Sequence, residues 1–206
     1  MHMGMVIDLK KCIGCHSCAV ACKLNNNLPA GMWWNRVLTE GGEVMDTASG
    51  TYPDRLKLSH LPVNCQHCEN PPCVKARPVG ASYQNKEDGT VQIDPDKCIG
   101  CRMCMEACPY HVRTFNWKEP EYPVDHAVGD ADAPVHRAGI VEKCTLCANR
   151  RARGEAPACM ELCLGRARYW GDLDDPESDV VKAMRGRKTM RLLEEKGTRP
   201  SVYYLV

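Results

Sequence analysis

The chain contains a single phenylalanine, and aromatic residues make up only 6% of it. It therefore lacks the large apolar side chains from which the cores of two domains are usually packed. One-sided charge is also missing, since 27 lysines and arginines stand against 26 aspartates and glutamates for a net +1. No field of one sign is available to hold a nucleic acid or an anionic membrane, and a nucleic-acid partner is not expected. Nowhere is there a run of roughly 18 apolar residues, so no transmembrane segment of the chain's own is expected. The opening residues, Met1 to Asp8, show neither a basic stretch before an apolar one nor a twin-arginine pair, so no export signal is expected there.

What the chain has is thiols, 15 cysteines in 206 residues. An odd number cannot pair off, and closely spaced C-x-x-C thiols bridge awkwardly, which disfavours a disulfide scaffold. The cysteines fall into four blocks: Cys12, Cys15, Cys18 and Cys22; Cys65, Cys68 and Cys73; Cys98, Cys101, Cys104 and Cys108; and Cys144, Cys147, Cys159 and Cys163. The first and third share the x2, x2, x3 spacing, and Pro109 follows Cys108. Three thiolates within seven residues can wrap three corners of an iron–sulfur cubane, and the last cysteine of such a block ligates the other cluster of a pair. Gly14 and Gly100 suit this loop, because a residue without Cβ lets backbone N–H groups approach cluster sulfide. Zinc is the main competing reading, but zinc sites join two C-x-x-C pairs by a longer loop and gain nothing from a third cysteine three residues on.

Residues 5–22 align without gaps on residues 91–108, with ten identities in eighteen positions. Each copy reads as a short strand, a cluster loop and a short helix, which resembles half of a two-cluster bacterial ferredoxin. The expected fold class is accordingly α+β, with duplicated two-cluster ferredoxin modules of short strands and helices built around iron–sulfur clusters, plus loop insertions and a C-terminal helix. A hairpin between 81 and 94 joins the second and third blocks, making 60–115 an inner module, with 1–59 and 116–206 forming an outer one. A ferredoxin-type pairing groups Cys12, Cys15 and Cys18 with Cys163, Cys144, Cys147 and Cys159 with Cys22, and Cys65, Cys68 and Cys73 with Cys108. Cys98, Cys101 and Cys104 remain, and Arg77 stands where their fourth ligand would be.

Elsewhere the sequence suggests a strand near 32–37, with Trp33 and Trp34 read as packing rather than as tunnelling groups, a surface excursion over 116–140, a helix near 177–196 ending at Gly197, and a strand over 201–206. Val180, Val181, Met184 and Leu192 read as a docking stripe. His16, His60, His67, His111, His126 and His136 share no recurring metal spacing, and no cysteine is spare, so no catalytic residue is expected. Four tetrathiolate clusters would carry the loaded protein to a net charge of about −7.

The four blocks and their order, with HCENPPC at 67–73, FNW at 115–117, VEKCTLC at 141–147 and GDLDDPESD at 171–179, resemble the iron–sulfur (beta) electron-transfer subunit of the DMSO reductase family of molybdopterin oxidoreductases. The resemblance spans nearly the whole chain. It implies a non-catalytic subunit relaying electrons through four clusters between a quinol or other donor and a large molybdopterin catalytic subunit. The Cys12 cluster would face that large chain, followed by the Cys144 and Cys65 clusters, and the Cys98 cluster would lie nearest a membrane quinol-oxidising subunit. It also implies attachment to a membrane through partners, with co-export beside a twin-arginine-bearing partner, a cytoplasmic location being the alternative. A free-standing polyferredoxin shuttling electrons between soluble enzymes is the alternative function. Arginine offers no acceptor, so three 4Fe–4S clusters are expected, together with a 3Fe–4S or incompletely cysteine-ligated 4Fe–4S cluster at Cys98, Cys101 and Cys104. The competing view is that Arg77 merely weakens that site.

Overall fold

The computed structural model describes residues 1–39, 48 and 50–206. In chain order the elements are β1 (Met3–Asp8), α1 (Ser17–Asn25), β2 (Asn35–Leu38), β3 (Leu61–Asn64), α2 (Pro72–Lys75), β4 (Ser82–Gln84), β5 (Val91–Ile93), α3 (Met103–Glu106), β6 (Thr114–Phe115), β7 (Val141–Glu142), α4 (Ala148–Ala152), α5 (Ala158–Glu161), β8 (Arg168–Asp172), α6 (Asp179–Met184), β9 (Thr189–Met190) and β10 (Val202–Leu205). The architecture is α+β.

The apolar run of β1 is buried at all six positions, as suits a central strand covered on both faces. It lies between β8, antiparallel, and β10, parallel, with β9 at the edge of the four-stranded sheet. This pairing sets the two ends of the chain side by side, and the Asp8 amide donates to the Ala167 carbonyl at 2.7 Å. The loop that follows β1 and the loop that precedes β8 are thereby brought together, carrying Cys12 and Cys163 with them. Two further ribbons matter for the interior. The β2–β3 ribbon sets Asn35 opposite Asn64, and the β4–β5 hairpin, as the sequence suggests, sets Ser82 opposite Ile93. The β6–β7 ladder ties Thr114 to Glu142.

Cysteines are part of the core itself. One buried group joins Trp34, Val63 and Val112 to Cys22, Cys65, Cys68, Cys108 and Cys144. A second joins Met5, Ile7, Val37 and Tyr204 to Cys18 and Cys159. Trp34 is buried and meets the His136 ring edge-on at 5.8 Å, whereas Trp33 is partly exposed with the Lys23 ammonium 4.9 Å from its ring centre. Packing is thus the role of Trp34, and the strand expected near 32–37 begins only at Asn35. Of the 23–60 stretch, 40–47 and 49 lie outside the described residues.

The C-terminal helix is much shorter than its sequence suggests. In place of a helix over 177–196, α6 spans only Asp179–Met184, followed by β9 and a 3-10 turn at Glu194–Lys196. Tertiary demands override the local helical pattern. The buried Asp8 carboxylate binds Arg187 at 2.6 Å, and β9 is recruited to pair with β10. Gly186 and Leu193 adopt positive φ and bend the chain between these anchors. Val180, with Val181 and Met184, does dock on Val6 and Leu205, but Leu192 packs instead against both cysteine-containing cores.

The 116–140 excursion is largely exposed and returns inward at His136. Its Nδ1 lies 2.7 Å from a Glu142 carboxylate oxygen and its Nε2 lies 2.8 Å from the Asn26 carbonyl. Both ring nitrogens face acceptors, so the imidazolium is favoured. Burial pulls its pKa down, but the Glu142 carboxylate more than compensates and the net shift is upward. The linkage sign follows: the stabilisation is complete below about pH 6.5, the unfolded value, and is lost as pH rises through the raised folded value. The thermal midpoint of the anaerobic, iron-loaded protein should therefore fall from pH 6 to pH 9 by more than that of His136→Gln. His136→Ala should cost roughly 3 kcal/mol by leaving Glu142 buried without its cation.

Candidate metal centres

Four C-x-x-C loops carry the site, and all four share one backbone feature. The residue before the second cysteine takes positive φ: 69° at Gly14, 43° at His67, 70° at Gly100 and 55° at Leu146. In the two repeat copies the residue after that cysteine does the same, at His16 and Arg102, immediately before α1 and α3. Left-handed residues are free for glycine but cost histidine and leucine of order 1 kcal/mol, so the turn persists only where its surroundings demand it. Such turns gather successive N–H groups on one side and form anion-binding concavities. The Leu146 amide donates to the Cys144 sulfur at 3.3 Å, and the Ala167 amide donates to the Cys163 sulfur at 3.3 Å.

The folded chain brings the cysteines together in four sets. Cys12, Cys15, Cys18 and Cys163 line one hollow. Cys65, Cys68, Cys73 and Cys108 line a second. Cys98, Cys101 and Cys104 line a third, with Arg77 in its wall. The fourth set is Cys22 with Cys144, Cys147 and Cys159, near enough for the other three thiols to act electrostatically on Cys22. Among the described residues no three His, Cys, Asp or Glu side chains converge closely enough to clasp a single ion. A tetrahedral zinc with Zn–S of about 2.3 Å would need sulfurs under about 4 Å apart. Thiols ringing a hollow, under turns that present N–H groups, fit an iron–sulfur cubane instead.

Electrostatics set the thiols apart. Burial, aided by mutual repulsion within each set, pushes Cys68 and Cys159 up to about 12 and Cys22 well above its ordinary value. Cys65 is the exception: burial raises it, but His67, Lys143 and Arg113 outweigh that and bring it down to about 5. Exposure divides the sets differently. All eight thiols of the Cys22 and Cys65 sets are buried, whereas Cys15 and Cys101 are exposed and, of their set-mates, Cys12, Cys163, Cys98 and Cys104 are half-buried and only Cys18 is buried. Exposed apolar side chains accompany both sets: Ile13 in the wall of the Cys15 hollow, with Leu162 and Leu164 on either side of Cys163 in the chain, and Ile99 in the wall of the Cys101 hollow, with Met103 two residues beyond Cys101 and Trp117 held against Arg102. The FNW segment serves the second collar. Arg102 lies over Phe115 and Trp117 at 5.4 and 4.7 Å, while the intervening Asn116 donates to Glu142 at 2.7 Å.

Sequence reasoning missed the buried cations Arg113, Lys143 and Arg168. A partial signal existed, since Lys143 precedes Cys144 as Lys11 precedes Cys12 and Lys97 precedes Cys98. Lys11 and Lys97 point outward, to Tyr169 and Asp94, and only Lys143 is buried.

The chain matches the 4Fe–4S dicluster domain family over residues 56–123 and 132–173, and the 4Fe–4S binding domain family over residues 3–24. It is 52% identical to an iron–sulfur subunit assigned to dimethyl sulfoxide reductase in Halobacterium salinarum, over 99% of this chain and 79% of that protein. A selenate reductase subunit of Mesobacillus selenatarsenatis is 45% identical over 98% of this chain and 70% of its own length. The arsenate respiratory reductase iron–sulfur subunit of a Shewanella species is 37% identical over 100% and 96%.

At Gly100 an added Cβ would lie 2.4 Å from the Gly139 carbonyl oxygen, on top of the positive φ, whereas at Gly80, also at positive φ, it would meet nothing within 4 Å. Gly100→Ala should therefore lower iron per chain by about one cluster's share and destabilise by more than about 1 kcal/mol. Gly80→Ala should retain full iron. Iron and acid-labile sulfide analysis distinguishes the two.

Proposed function

Because the chain belongs to the 4Fe–4S dicluster family of iron–sulfur electron-transfer subunits, we propose that its four thiol sets hold the clusters of a relay serving a separate catalytic chain. It is the electron-transfer subunit of a molybdopterin-dependent oxidoreductase complex. The observation that carries the detailed reading is the division of the cysteines, with two sets sealed inside and two reaching the surface beneath apolar collars. When bound, the clusters supply reversible one-electron transfer.

The residues of this chain hold, tune and present that relay. In the proposed ligation Cys12, Cys15, Cys18 and Cys163 hold one 4Fe–4S cluster, Cys22, Cys144, Cys147 and Cys159 a second, and Cys65, Cys68, Cys73 and Cys108 a third. Cys98, Cys101 and Cys104 hold the fourth, as 3Fe–4S or as 4Fe–4S with one non-cysteinyl iron. Arg77 supports this last assignment. It lines the hollow, its Nη1 donates to the Ser82 carbonyl at 2.5 Å, and it brings a cation where a thiolate would stand. The inner module over 60–115, with 1–59 and 116–206 around it, would then carry the third and fourth clusters.

The collar of Ile13, Leu162 and Leu164 would dock the molybdopterin subunit, and that of Ile99, Met103 and Trp117 the electron donor, a membrane quinol-oxidising subunit in this reading. Apolar side chains exposed around the two accessible thiol sets would exclude water where electrons cross between chains. No described helix is long and apolar enough to cross a membrane. Membrane association would come through partners, extracytoplasmic if the complex is exported with a twin-arginine-bearing chain. The subunit has no catalytic residue of its own in this account.

Anaerobic affinity purification from the native host should bring down, in stoichiometric amount, a large chain carrying molybdopterin. Elution alone with its clusters intact would point to a free-standing polyferredoxin. In the oxidised protein EPR should show one 3Fe–4S type signal or, failing that, a labile iron at the fourth site. Arg77→Cys should abolish either feature, raise iron per chain and lower that cluster's potential. An unchanged spectrum and iron content in Arg77→Cys would rule out the ligand assignment at that site.

A further inference from the structure

Only three lysines or arginines among the described residues are buried: Arg113, Lys143 and Arg168. None of the three has a carboxylate partner among the described residues, unlike Arg150, Arg151, Arg153 and Arg187, which all do. Burying a charge without a counter-charge costs several kcal/mol, so each must answer to some other anion. Their positions identify it.

Arg168 extends from β8 between the first two thiol sets. Its Nη2 lies 3.5 Å from the Cys18 sulfur and its Nη1 lies 3.7 Å from the Cys159 sulfur. The Asn35 and Asn64 amide oxygens, set opposite each other by the β2–β3 register, accept from it at 3.1 and 3.3 Å. Lys143 lies between the second set and the third. Its Nζ donates to the Cys144 carbonyl at 2.8 Å and to the carbonyl of Val91, which lines the Cys65 hollow. Arg113 lies between the third set and the fourth. It lines the Cys65 hollow and donates at 2.9 Å to the Ser82 hydroxyl, in the wall of the Cys98 hollow, while its Nη2 is buried with no hydrogen-bond partner. Cys73 and Cys104, one thiol from each of those sets, are among the groups that hold it charged.

We propose that Arg168, Lys143 and Arg113 form a row of fixed positive charges, one at each junction between successive thiol sets, each raising the reduction potential of both clusters beside it. This rests on the cluster reading of the thiols. A loaded tetrathiolate set is anionic and gains a further negative charge on reduction, so a buried cation at a junction favours the reduced form on either side. It also offsets the repulsion between neighbouring sets. The asparagines and backbone carbonyls hold each cation in place without neutralising it.

The test is an EPR-monitored redox titration of the anaerobically purified complex, with iron per chain read first. If the wild-type protein holds no iron–sulfur clusters, the cluster reading itself fails. With clusters present, Arg168→Gln, Lys143→Gln and Arg113→Gln should each lower two of the four midpoints. The pairs lowered by Arg168→Gln and Arg113→Gln should share no member, and the Lys143→Gln pair should share one with each. Arg168→Lys, Lys143→Arg and Arg113→Lys should stay at wild-type values. Iron loss in a neutral variant that its charge-keeping counterpart restores also supports the assignment, because it shows that the flanking thiols require the charge. Unchanged midpoints, a uniform shift of all four, or charge-keeping variants as perturbed as neutral ones would overturn it.

Discussion

Anionic sulfur buried away from water is the constraint on which the rest of this structure depends. A thiolate set inside a protein is tolerable only if N–H dipoles, cations and a metal core share its charge. The four left-handed turns supply the dipoles. Arg113, Lys143 and Arg168 supply cations at the inner boundaries, and at Arg168 the β2–β3 ribbon sets the two asparagines that steer the guanidinium. The short elements follow from the same demand. Helices of four to nine residues and strands of two to six are long enough to aim a cysteine and too short to pack a conventional interior. Cysteines appear inside the hydrophobic groups because the hollows they line stand where a larger domain would put phenylalanine and leucine.

The same economy separates inside from outside. The thiols of the two central sets are all buried, while the first and last sets lie beside loops whose isoleucines are exposed. Ile13 and Ile99 occupy equivalent places in the repeat and are 63% and 64% exposed. An isoleucine left in water at the same point of two copies, each beside an exposed thiol, fits a surface meant to be covered by another chain. Electrons would then enter and leave at the ends of the row and never at its middle.

Much of this was legible in the sequence because cysteine spacing is a local signal. The x2, x2, x3 blocks, the repeat and the β4–β5 hairpin need only a few residues of context, and the grouping of Cys163 with Cys12 followed from ferredoxin pairing. What escaped was whatever depended on contacts distant in the chain. The 177–196 segment carries a helical pattern, yet Asp8, some 180 residues away, claims Arg187 and breaks it. Nothing around Lys143 or Arg168 distinguishes them from the exposed lysines and arginines of the chain until the sheets close over them. His67 and Leu146 likewise stand where a glycine would be the natural signal, and only the folded loops show that they adopt glycine's conformation.

The central claim is that iron–sulfur clusters take the place of a hydrophobic core, and its most direct test is hydrogen exchange of the iron-loaded chain against the same chain stripped of iron under anaerobic, reducing conditions. The account predicts that β1, β8 and β10 and the β2–β3 ribbon are protected in the loaded protein and lose that protection together once iron is removed. An iron-free chain that keeps the same protected strands and melts cooperatively would contradict it.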